Sequence, residues 1–313
     1  MKKLRIVFMG TTNFGVPALE KLVESGHDVV AVIAQPDRPN KRGKKIAVLP
    51  LKEKALGLGI KVLQPEKIKD PAFIEQLKPY QADVFIVAAY GQMLSEEILY
   101  MPTYGSLNIH GSLLPKYRGA APIQRAIIDG EAKAGVTIMQ MSSGMDTGDM
   151  LAMADLDITP ETTFGILHED LARLGADLLI ESLEGIITGK REPVPQNDNE
   201  ATYAQKILKD TGHIRWDLSS HEILALINGM DPQPGAYFIY KDEKIKCFKP
   251  EIIQWAGNEQ PGTLVVADAH EGLIVKTGDA AISIGEIQAP GKKRMETRVY
   301  LRGHAFETGQ VLN

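Results

Sequence analysis

The first half of this chain alternates short apolar runs with amphipathic segments, and that alternation limits the fold more than any other feature. The apolar, often β-branched runs occupy residues 4–9, 29–34, 61–63 and 82–88. Helix-like segments lie between them, at about residues 16–24, 50–56 and 71–77. Strands that alternate with helices at this spacing predict an α/β domain with a mostly parallel sheet covered on both faces.

The same pattern continues through the middle of the chain. Further strands are predicted at residues 136–141 and 150–156. A long amphipathic helix is predicted from Pro160 to about residue 187, because Thr159 is a capping residue type and proline is favoured in the first helical turn.

The composition changes near residue 190. Residues 190–206 are polar, contain prolines and lack a periodic pattern, which is typical of a linker. Short strand-like runs with glycine at their turns follow, at residues 235–240, 244–249, 262–268, 272–277 and 281–287. This spacing predicts a small antiparallel β-barrel. Because 313 residues are many for one core, we expect two domains, residues 1–189 and 207–313, joined by the linker 190–206.

Charge and cysteine content exclude several functional classes. The net charge of −5 at pH 7 argues against an evenly basic nucleic-acid binder, so RNA would have to be held by local patches. Two such patches exist, at residues 38–45 and 292–294. The lone Cys247 excludes an intramolecular disulfide and a cysteine-based metal cluster, and a reducing cytoplasm is the expected compartment.

Three further classes find no support in the sequence. No apolar run reaches the length of about 18 residues that a membrane-spanning helix needs. The histidines and carboxylates show no metal-ligand spacing. Residues 10–15 do not match the glycine fingerprint of a dinucleotide-binding turn, so they are better interpreted as a tight strand-to-helix turn.

The most informative motif is Ser-Leu-Asn-Ile-His-Gly-Ser-Leu-Leu-Pro-Lys-Tyr-Arg-Gly, which begins at Ser106. Asn108 and His110 lie two residues apart in an apolar strand, so their side chains project from the same face. An amide can donate to a developing oxyanion, and an imidazole titrates near neutral pH and can accept a proton. The pair is typical of acyl transfer, and the alternative is a buried histidine bonded to a backbone carbonyl.

A second block, Gly-Met-Asp-Thr-Gly, spans residues 144–148 and follows the strand predicted at residues 136–141. A carboxylate at Asp146 can fix the tautomer of His110 and stabilise the imidazolium as it forms. The alternative is a turn residue that bonds its own backbone. We call Asn108, His110 and Asp146 the candidate trio.

Together, these two blocks resemble the folate-dependent formyltransferases, and the resemblance extends over essentially the whole chain. It implies a Rossmann-like formyltransferase domain followed by a C-terminal OB-like β-barrel domain that binds tRNA. It also implies 10-formyltetrahydrofolate as the co-substrate, no metal, and methionyl-initiator tRNA as the acceptor of the formyl group, in support of translation initiation. The candidate trio matches the family's catalytic residues position by position. We expect a monomer.

The resemblance also assigns binding residues. The segment that contacts tetrahydrofolate in the family matches Ser112, Leu113, Leu114 and Pro115. A folate also needs a flat pocket with backbone hydrogen bonds and an apolar wall. Residues 87–92 at the end of one strand, among them Ala88, Tyr90, Gly91 and Gln92, together with Gly144 and Met145 after another strand, are a plausible source of that pocket. The insert that wedges into the acceptor end of the tRNA matches Lys41, Arg42, Lys44 and Lys45, with Arg42 aligned to the functional arginine, and Lys292 and Lys293 form the second basic patch.

Two other functions stay open at this point. A formyltransferase acting on a small amine, such as a glycinamide ribonucleotide or an amino sugar, shares equivalents of the candidate trio, but it would require neither the basic insert nor the C-terminal barrel. A non-catalytic RNA-binding module is the second alternative, and the completeness of the trio argues against it. Because Ser112 is not part of a G-x-S-x-G elbow, direct attack by the amine is the simpler mechanism.

Overall fold

The chain folds into two compact units. The computed structural model describes residues 2–38 and 48–312. The first unit contains the described parts of Met1–Gly119, Gly135–Leu156 and His168–Ala204. The second contains Ala120–Ala134, Asp157–Leu167 and the described part of Gln205–Asn313. Each unit has its own main sheet.

The strands of the first unit form a mostly parallel sheet. They are β1 (Arg5–Gly10), β2 (Asp28–Ile33), β3 (Val62–Leu63), β4 (Val84–Ala88), β5 (Ser106–His110), β6 (Arg118–Gly119), β7 (Lys133–Gln140), β8 (Met150–Asp157) and β9 (Tyr203–Ala204). The sheet order is β3-β2-β1-β4-β5-β7-β8, and β6 pairs separately with β9. All pairs from β3 to β5 are parallel, whereas β5 and β7 are antiparallel. The predicted α/β fold is confirmed.

Helices lie at the three positions predicted between the first strands, and further helices follow along the chain. They are α1 (Val16–Glu24), α2 (Pro50–Gly57), α3 (Pro71–Leu77), α4 (Glu96–Leu99), α5 (Pro122–Ile128), α6 (Phe164–Ile187), α7 (Ser220–Met230) and α8 (Thr297–Leu301). Among residues 2–38 and 48–312, no helix is long and apolar enough to cross a membrane. In the same residues, no three His, Cys, Asp or Glu side chains come close enough together to hold a metal ion.

The long helix starts later than the sequence predicts. The predicted start at Pro160 is wrong, because α6 begins at Phe164. The Thr159 amide donates to the Thr162 hydroxyl, and the Thr162 amide donates to the Thr159 carbonyl, each at 2.9 Å. These bonds close a turn before the helix. The Pro160 carbonyl accepts a bond from the Asn228 side chain at 2.7 Å, so a distant residue satisfies it instead of a helical amide.

α6 packs closely on one face of β5. An added Cβ at Gly175 of α6 would lie 2.8 Å from Cγ2 of Ile109, so only glycine permits this approach. Because Asn108 and His110 alternate with Ile109 along the strand, their side chains project from the opposite face of the sheet. One face of β5 therefore packs against α6, and the opposite face carries the polar side chains of Asn108 and His110.

The second unit is built on an antiparallel sheet. Its strands are β10 (Ala236–Tyr240), β11 (Glu243–Ile253), β12 (Leu264–Asp268), β13 (Gly272–Lys276), β14 (Ala281–Gln288) and β15 (Met295–Glu296). The order is β10-β11-β14-β13-β12, with β15 beside β14. The end strands β10 and β12 do not pair with each other in the described part of the chain, so the sheet is a half-barrel. The predicted small antiparallel domain is thus confirmed in this form.

The core of the second unit is rich in aromatic residues. The rings of Trp216 and Phe306 pack on Phe238, with centroids 6.1 and 6.2 Å away. Cys247 is fully buried in the same core, and burial raises the pKa of its thiol. A thiol that stays protonated and inaccessible is not a nucleophile, so Cys247 is a structural residue of its strand.

Candidate active site

Asn108 and His110 lie at the carboxyl end of β5, on the face turned away from α6. Both are largely buried, with 9% and 6% of their surface exposed. Asn108 stands in register with Val87 of β4 and Met139 of β7, so an apolar residue flanks it on each neighbouring strand. Its side-chain amide has no hydrogen-bond partner among the described residues. The carboxyl ends of parallel strands are where α/β folds usually bind ligands.

Both ring nitrogens of His110 face hydrogen-bond acceptors. Nε2 lies 3.0 Å from the carbonyl oxygen of Tyr117, which assigns the proton of the neutral ring to Nε2. Nδ1 lies 3.8 Å from Oδ1 of Asp146, too far for a hydrogen bond but close enough for an ion pair. The neutral ring therefore keeps a lone pair on Nδ1, and a proton taken up there is stabilised by the carboxylate. His110 is therefore bonded to a backbone carbonyl through Nε2, as the alternative interpretation expects, but its Nδ1 remains available to accept a proton.

Asp146 is held through both its carboxylate and its backbone. Oδ2 accepts a hydrogen bond from the Gly119 amide at 2.8 Å, and the Asp146 carbonyl accepts one from Gln196 at 2.8 Å. Its φ of 52° lies in the left-handed region, which Asp adopts more readily than most residues. An added Cβ at Gly148 would lie 1.8 Å from the Gln140 carbonyl oxygen, so the loop requires glycine there. The carboxylate thus reaches across to another segment instead of bonding its own turn.

A cleft opens beside the Asp146 loop. It is lined by Gln92, Met93, Leu94, Leu99, Met139, Met141, Ser142, Gly144, Met145 and Asp146. We call it the methionine-lined cleft. Its walls are mainly thioether and aliphatic, with a few polar side chains, which is the usual composition of a small-molecule site. Of the residues predicted to contact folate, Gln92, Gly144 and Met145 line it, whereas Ala88, Tyr90, Gly91 and the segment 112–115 do not.

The strand end predicted to contact folate is mostly part of the core. Ala88 is fully buried and Tyr90 is 2% exposed. The Tyr90 hydroxyl has no hydrogen-bond partner within the part of the chain that the structure describes, and burial raises the pKa of Tyr90 to about 12. Its carbonyl accepts bonds from Thr11 and Gln35 at 3.2 and 3.0 Å. Gly91 is exposed, so it is the backbone there that a ligand can reach.

The second predicted folate segment forms a loop that brings Tyr117 to His110. The Ser112 hydroxyl donates to the Lys116 carbonyl at 2.6 Å, which folds the segment back on itself. Within the loop, Leu114 is buried, whereas Leu113 and Pro115 are half-buried. The loop therefore positions the carbonyl that bonds His110, and its partly exposed apolar side chains are Leu113 and Pro115.

The predicted tRNA-binding residues fall into two groups. Lys41, Arg42, Lys44 and Lys45 lie outside the described residues. Lys292 and Lys293 are exposed in the turn before β15. The adjacent Arg294 is engaged differently, because its guanidinium pairs with Asp231 at 2.6 Å and lies 3.9 Å from the centroid of the Phe248 ring. The two lysines are thus the accessible cations of that patch.

Sequence reasoning missed two residues behind the candidate trio. The Arg118 side chain is 3% exposed and pairs with Asp198 at 2.7 Å. It also donates to the Gln196 side chain, which in turn donates to the Asp146 loop. Arg118 lies inside the motif that begins at Ser106, so its position in that motif is a signal that could have indicated a role near the site. Gln196 lies in the polar segment 190–206, where no local pattern distinguishes it.

Two family models match consecutive parts of the chain. One, described as "Formyl transferase", matches residues 3–183, and the other, "Formyl transferase, C-terminal domain", matches residues 206–305. The chain belongs to the formyl transferase family. The methionyl-tRNA formyltransferase of Caldanaerobacter subterraneus subsp. tengcongensis is 48% identical over 310 residues, which cover 99% of this chain and 100% of that protein. This full-length identity groups the enzyme with the methionyl-tRNA formyltransferases.

Two solved structures share the fold of this formyl transferase at low sequence identity. HypX from Aquifex aeolicus in complex with tetrahydrofolic acid aligns with a TM-score of 0.67 and 18% identity over 96% of this chain, which spans 47% of HypX. An N-formyltransferase from Helicobacter canadensis, solved with folinic acid and dTDP-3-aminofucose, aligns with a TM-score of 0.64 and 21% identity, covering 91% of this chain and 98% of that one.

Proposed function

We propose that the candidate trio transfers the formyl group of 10-formyltetrahydrofolate directly to the α-amino group of methionyl-initiator tRNA. The reaction is that of the family to which the chain belongs, and the proposal concerns how its own residues perform it. The main support is the position of His110, because its Nδ1 faces the Asp146 carboxylate at 3.8 Å while its Nε2 is bonded to the Tyr117 carbonyl.

His110 acts as the general base. When the substrate nitrogen bonds to the formyl carbon, that nitrogen must lose a proton. The lone pair on Nδ1 accepts it, and both ring nitrogens then face acceptors, Tyr117 and Asp146. The imidazolium is stabilised where it forms, which is what an efficient base requires at near-neutral pH. The bond between the formyl carbon and the folate nitrogen then breaks, and the imidazolium returns its proton to that nitrogen, so tetrahydrofolate leaves and the neutral histidine is restored.

Asn108 stabilises the oxygen that gains negative charge during the attack. Its side chain projects from the same strand face as His110, and a neutral amide brings no ion to desolvate in a buried site. Because the amide has no partner among the described residues, it can donate to the oxyanion without giving up an existing bond. Donors fixed in advance of the reaction are among the largest contributions to catalysis.

We assign the folate ring system to the methionine-lined cleft, which reaches Asp146. 10-Formyltetrahydrofolate supplies the formyl group when it is bound. The apolar walls formed by Met141 and Met145 suit a flat ring, and the Gln92 side chain adds polar groups. Further folate contacts are assigned to the backbone of the strand end and to the loop, namely Ala88, Tyr90, Gly91, Ser112, Leu113, Leu114 and Pro115.

The tRNA is assigned to the two basic patches. Residues 38–45 hold five basic residues in eight, and we assign Lys41, Arg42, Lys44 and Lys45 to the acceptor end. Lys292 and Lys293 are exposed cations that suit phosphate contacts. The proposal also includes a monomeric, cytoplasmic enzyme, because one chain supplies the whole trio and its single cysteine cannot form an intramolecular disulfide.

The test is transfer of labelled formyl from 10-formyltetrahydrofolate to purified methionyl-initiator tRNA, methionyl-elongator tRNA and a small amine. We expect the initiator tRNA to be the preferred acceptor. His110→Ala should lower kcat by about 10²- to 10⁴-fold. His270→Ala is the matched control, because His270 is exposed in the turn between β12 and β13.

Each other outcome contradicts a different part of the proposal. Transfer to the small amine but not to tRNA would refute the acceptor while keeping the chemistry. Near-normal turnover in His110→Ala would refute the general base. No transfer to any acceptor, with folate bound, would favour a non-catalytic module.

A further inference from the structure

Gln196 uses every hydrogen-bonding group of its side-chain amide. Nε2 donates to the carbonyl oxygens of Asp146 and Gly148, at 2.8 and 2.7 Å. Oε1 accepts from Nε and Nη2 of Arg118, at 3.0 and 2.8 Å. Because a primary amide has two N–H donors and an oxygen with two lone pairs, all four are satisfied by protein groups.

These bonds join the two segments that hold the Asp146 carboxylate. One segment is the loop of Asp146 itself, which Gln196 bonds on either side of residue 147. The other is β6, where Arg118 bonds Gln196 and the next residue, Gly119, donates its amide to Oδ2 of Asp146 at 2.8 Å. Gln196 therefore ties the carboxylate's own loop to the strand that fixes the carboxylate.

Arg118 is a charged anchor for this arrangement. Burial opposes the charge, but hydrogen bonds to Asp198 and Tyr203 raise the pKa of the Arg118 guanidinium overall. The Asp198 carboxylate lies 2.7 Å away. A buried charge is costly to displace from its partners, so the Arg118 fork is a rigid support for the Gln196 amide.

We propose that Gln196 is a positioning residue that fixes the Asp146 carboxylate at its distance from Nδ1 of His110. This proposal rests on the function proposed above and adds to it a residue from the polar segment 190–206. Because the partners of Gln196 are Asp146, Gly148 and Arg118 and not the reacting atoms, its effect should appear in the protonation of His110 and in kcat, not in substrate binding.

Gln196→Glu is the sharpest test. The glutamate keeps the shape and still accepts from Arg118, but it has no N–H donors and turns a carboxylate toward the two loop carbonyls. We expect kcat to fall by about 10- to 100-fold, the usual effect of losing an orienting contact, with KM for folate and tRNA unchanged. The direction of the pH effect is taken from Gln196→Met, which adds no charge: its acid limb in the pH–rate profile should move to lower pH, because a displaced Asp146 carboxylate favours the protonated His110 ring less. The pH midpoint of the His110 ring signals in NMR, measured without substrates, should move the same way.

The matched control is Asn197→Ala. The Asn197 side chain bonds Glu200 and the Asn199 amide, at 2.7 and 3.2 Å, and it is exposed beside Gln196. We expect kcat, the pH–rate profile and the NMR midpoint of this variant to equal those of the unchanged enzyme. A loss in Asn197→Ala as large as in Gln196→Glu would mean that disturbing the segment suffices, which overturns the proposal.

A double-mutant cycle with Asp146→Asn separates positioning from a general structural role. If Gln196 acts through Asp146, adding Gln196→Glu to Asp146→Asn lowers kcat little further. Additive losses, or an unchanged pH–rate profile in Gln196→Met, would overturn the proposal. Gln196→Met, which removes all four bonds at similar volume, replaces the glutamate variant in the cycle if circular dichroism shows that the latter is unfolded. Failure of the underlying function is distinct, because Asp146→Asn alone would then retain full kcat.

Discussion

The substitution Asn108→Ala isolates the proposed oxyanion donor. Asn108 is 9% exposed and stands in register with Val87 and Met139. Its amide has no partner among the described residues, so truncation leaves no buried group unsatisfied. Loss of one such donor costs about 10²- to 10³-fold in kcat, or about 2.7–4 kcal/mol of transition-state stabilisation. The free energy of unfolding should change by only about 1 kcal/mol or less.

The assay is single-turnover formyl transfer to methionyl-initiator tRNA at saturating folate, combined with thermal unfolding. Ser106→Ala is the matched control, because Ser106 lies on the same face of β5 and its hydroxyl donates to the Leu99 carbonyl at 3.0 Å. That control should lose about 1 kcal/mol of stability and keep its rate. Asn108→Ala should show the reverse pattern, a large loss of rate with little loss of stability.

Asn108→Asp provides a stricter version of the test. An ionised carboxylate has nearly the same shape as the amide but only accepts hydrogen bonds, so it repels the charge that the amide would stabilise. We expect a loss at least as large as in Asn108→Ala. Near-normal single-turnover rates in both variants would refute the role of Asn108 as a donor and leave it as a packing residue.

Four further outcomes are expected. Asp146→Asn should lower kcat and move the acid limb of the pH–rate profile to lower pH, since a carboxylate favours the protonated His110 ring; kinetics unchanged across pH would reduce Asp146 to a turn residue. Tyr90→Phe removes a buried hydroxyl that has no partner among the described residues. The free energy of unfolding and the affinity for folate should therefore not fall, and a loss of stability would mean that the hydroxyl has a partner. Burial raises the pKa of the Glu286 carboxyl, but hydrogen bonds from two cations outweigh burial and lower that pKa overall. The free energy of unfolding lost in Glu286→Gln should therefore be largest at neutral pH and vanish as acid protonates the carboxyl. Thermal melting at several pH values checks this, and a pH-independent difference would contradict it. Arg42→Leu should raise KM for tRNA or lower kcat without changing folate binding, because it removes a guanidinium suited to phosphate; equal tRNA kinetics across a salt series would leave that arginine without its role.

Local signals in the sequence were sufficient for most of the elements. α3 begins at Pro71, as predicted, and the Asp70 side chain caps it by accepting from the Ala72 amide at 2.9 Å. The signal at Pro160 is of the same kind but failed, because its carbonyl is bonded by the side chain of Asn228. Helix starts are thus predictable where the cap is satisfied locally and not where a distant residue competes for the same backbone group.

The candidate site divides in the same way. That Asn108 and His110 share a face was determined by the sequence, because side chains two apart in a strand must project together. The family resemblance added Asp146, but only the tertiary structure placed its carboxylate 3.8 Å from Nδ1. No local pattern indicated Gln196, whose bond to Asp146 joins residues 50 apart in the chain. Strand periodicity is a property of the backbone at each residue, whereas the distance between two loops depends on how the whole sheet and its connections pack.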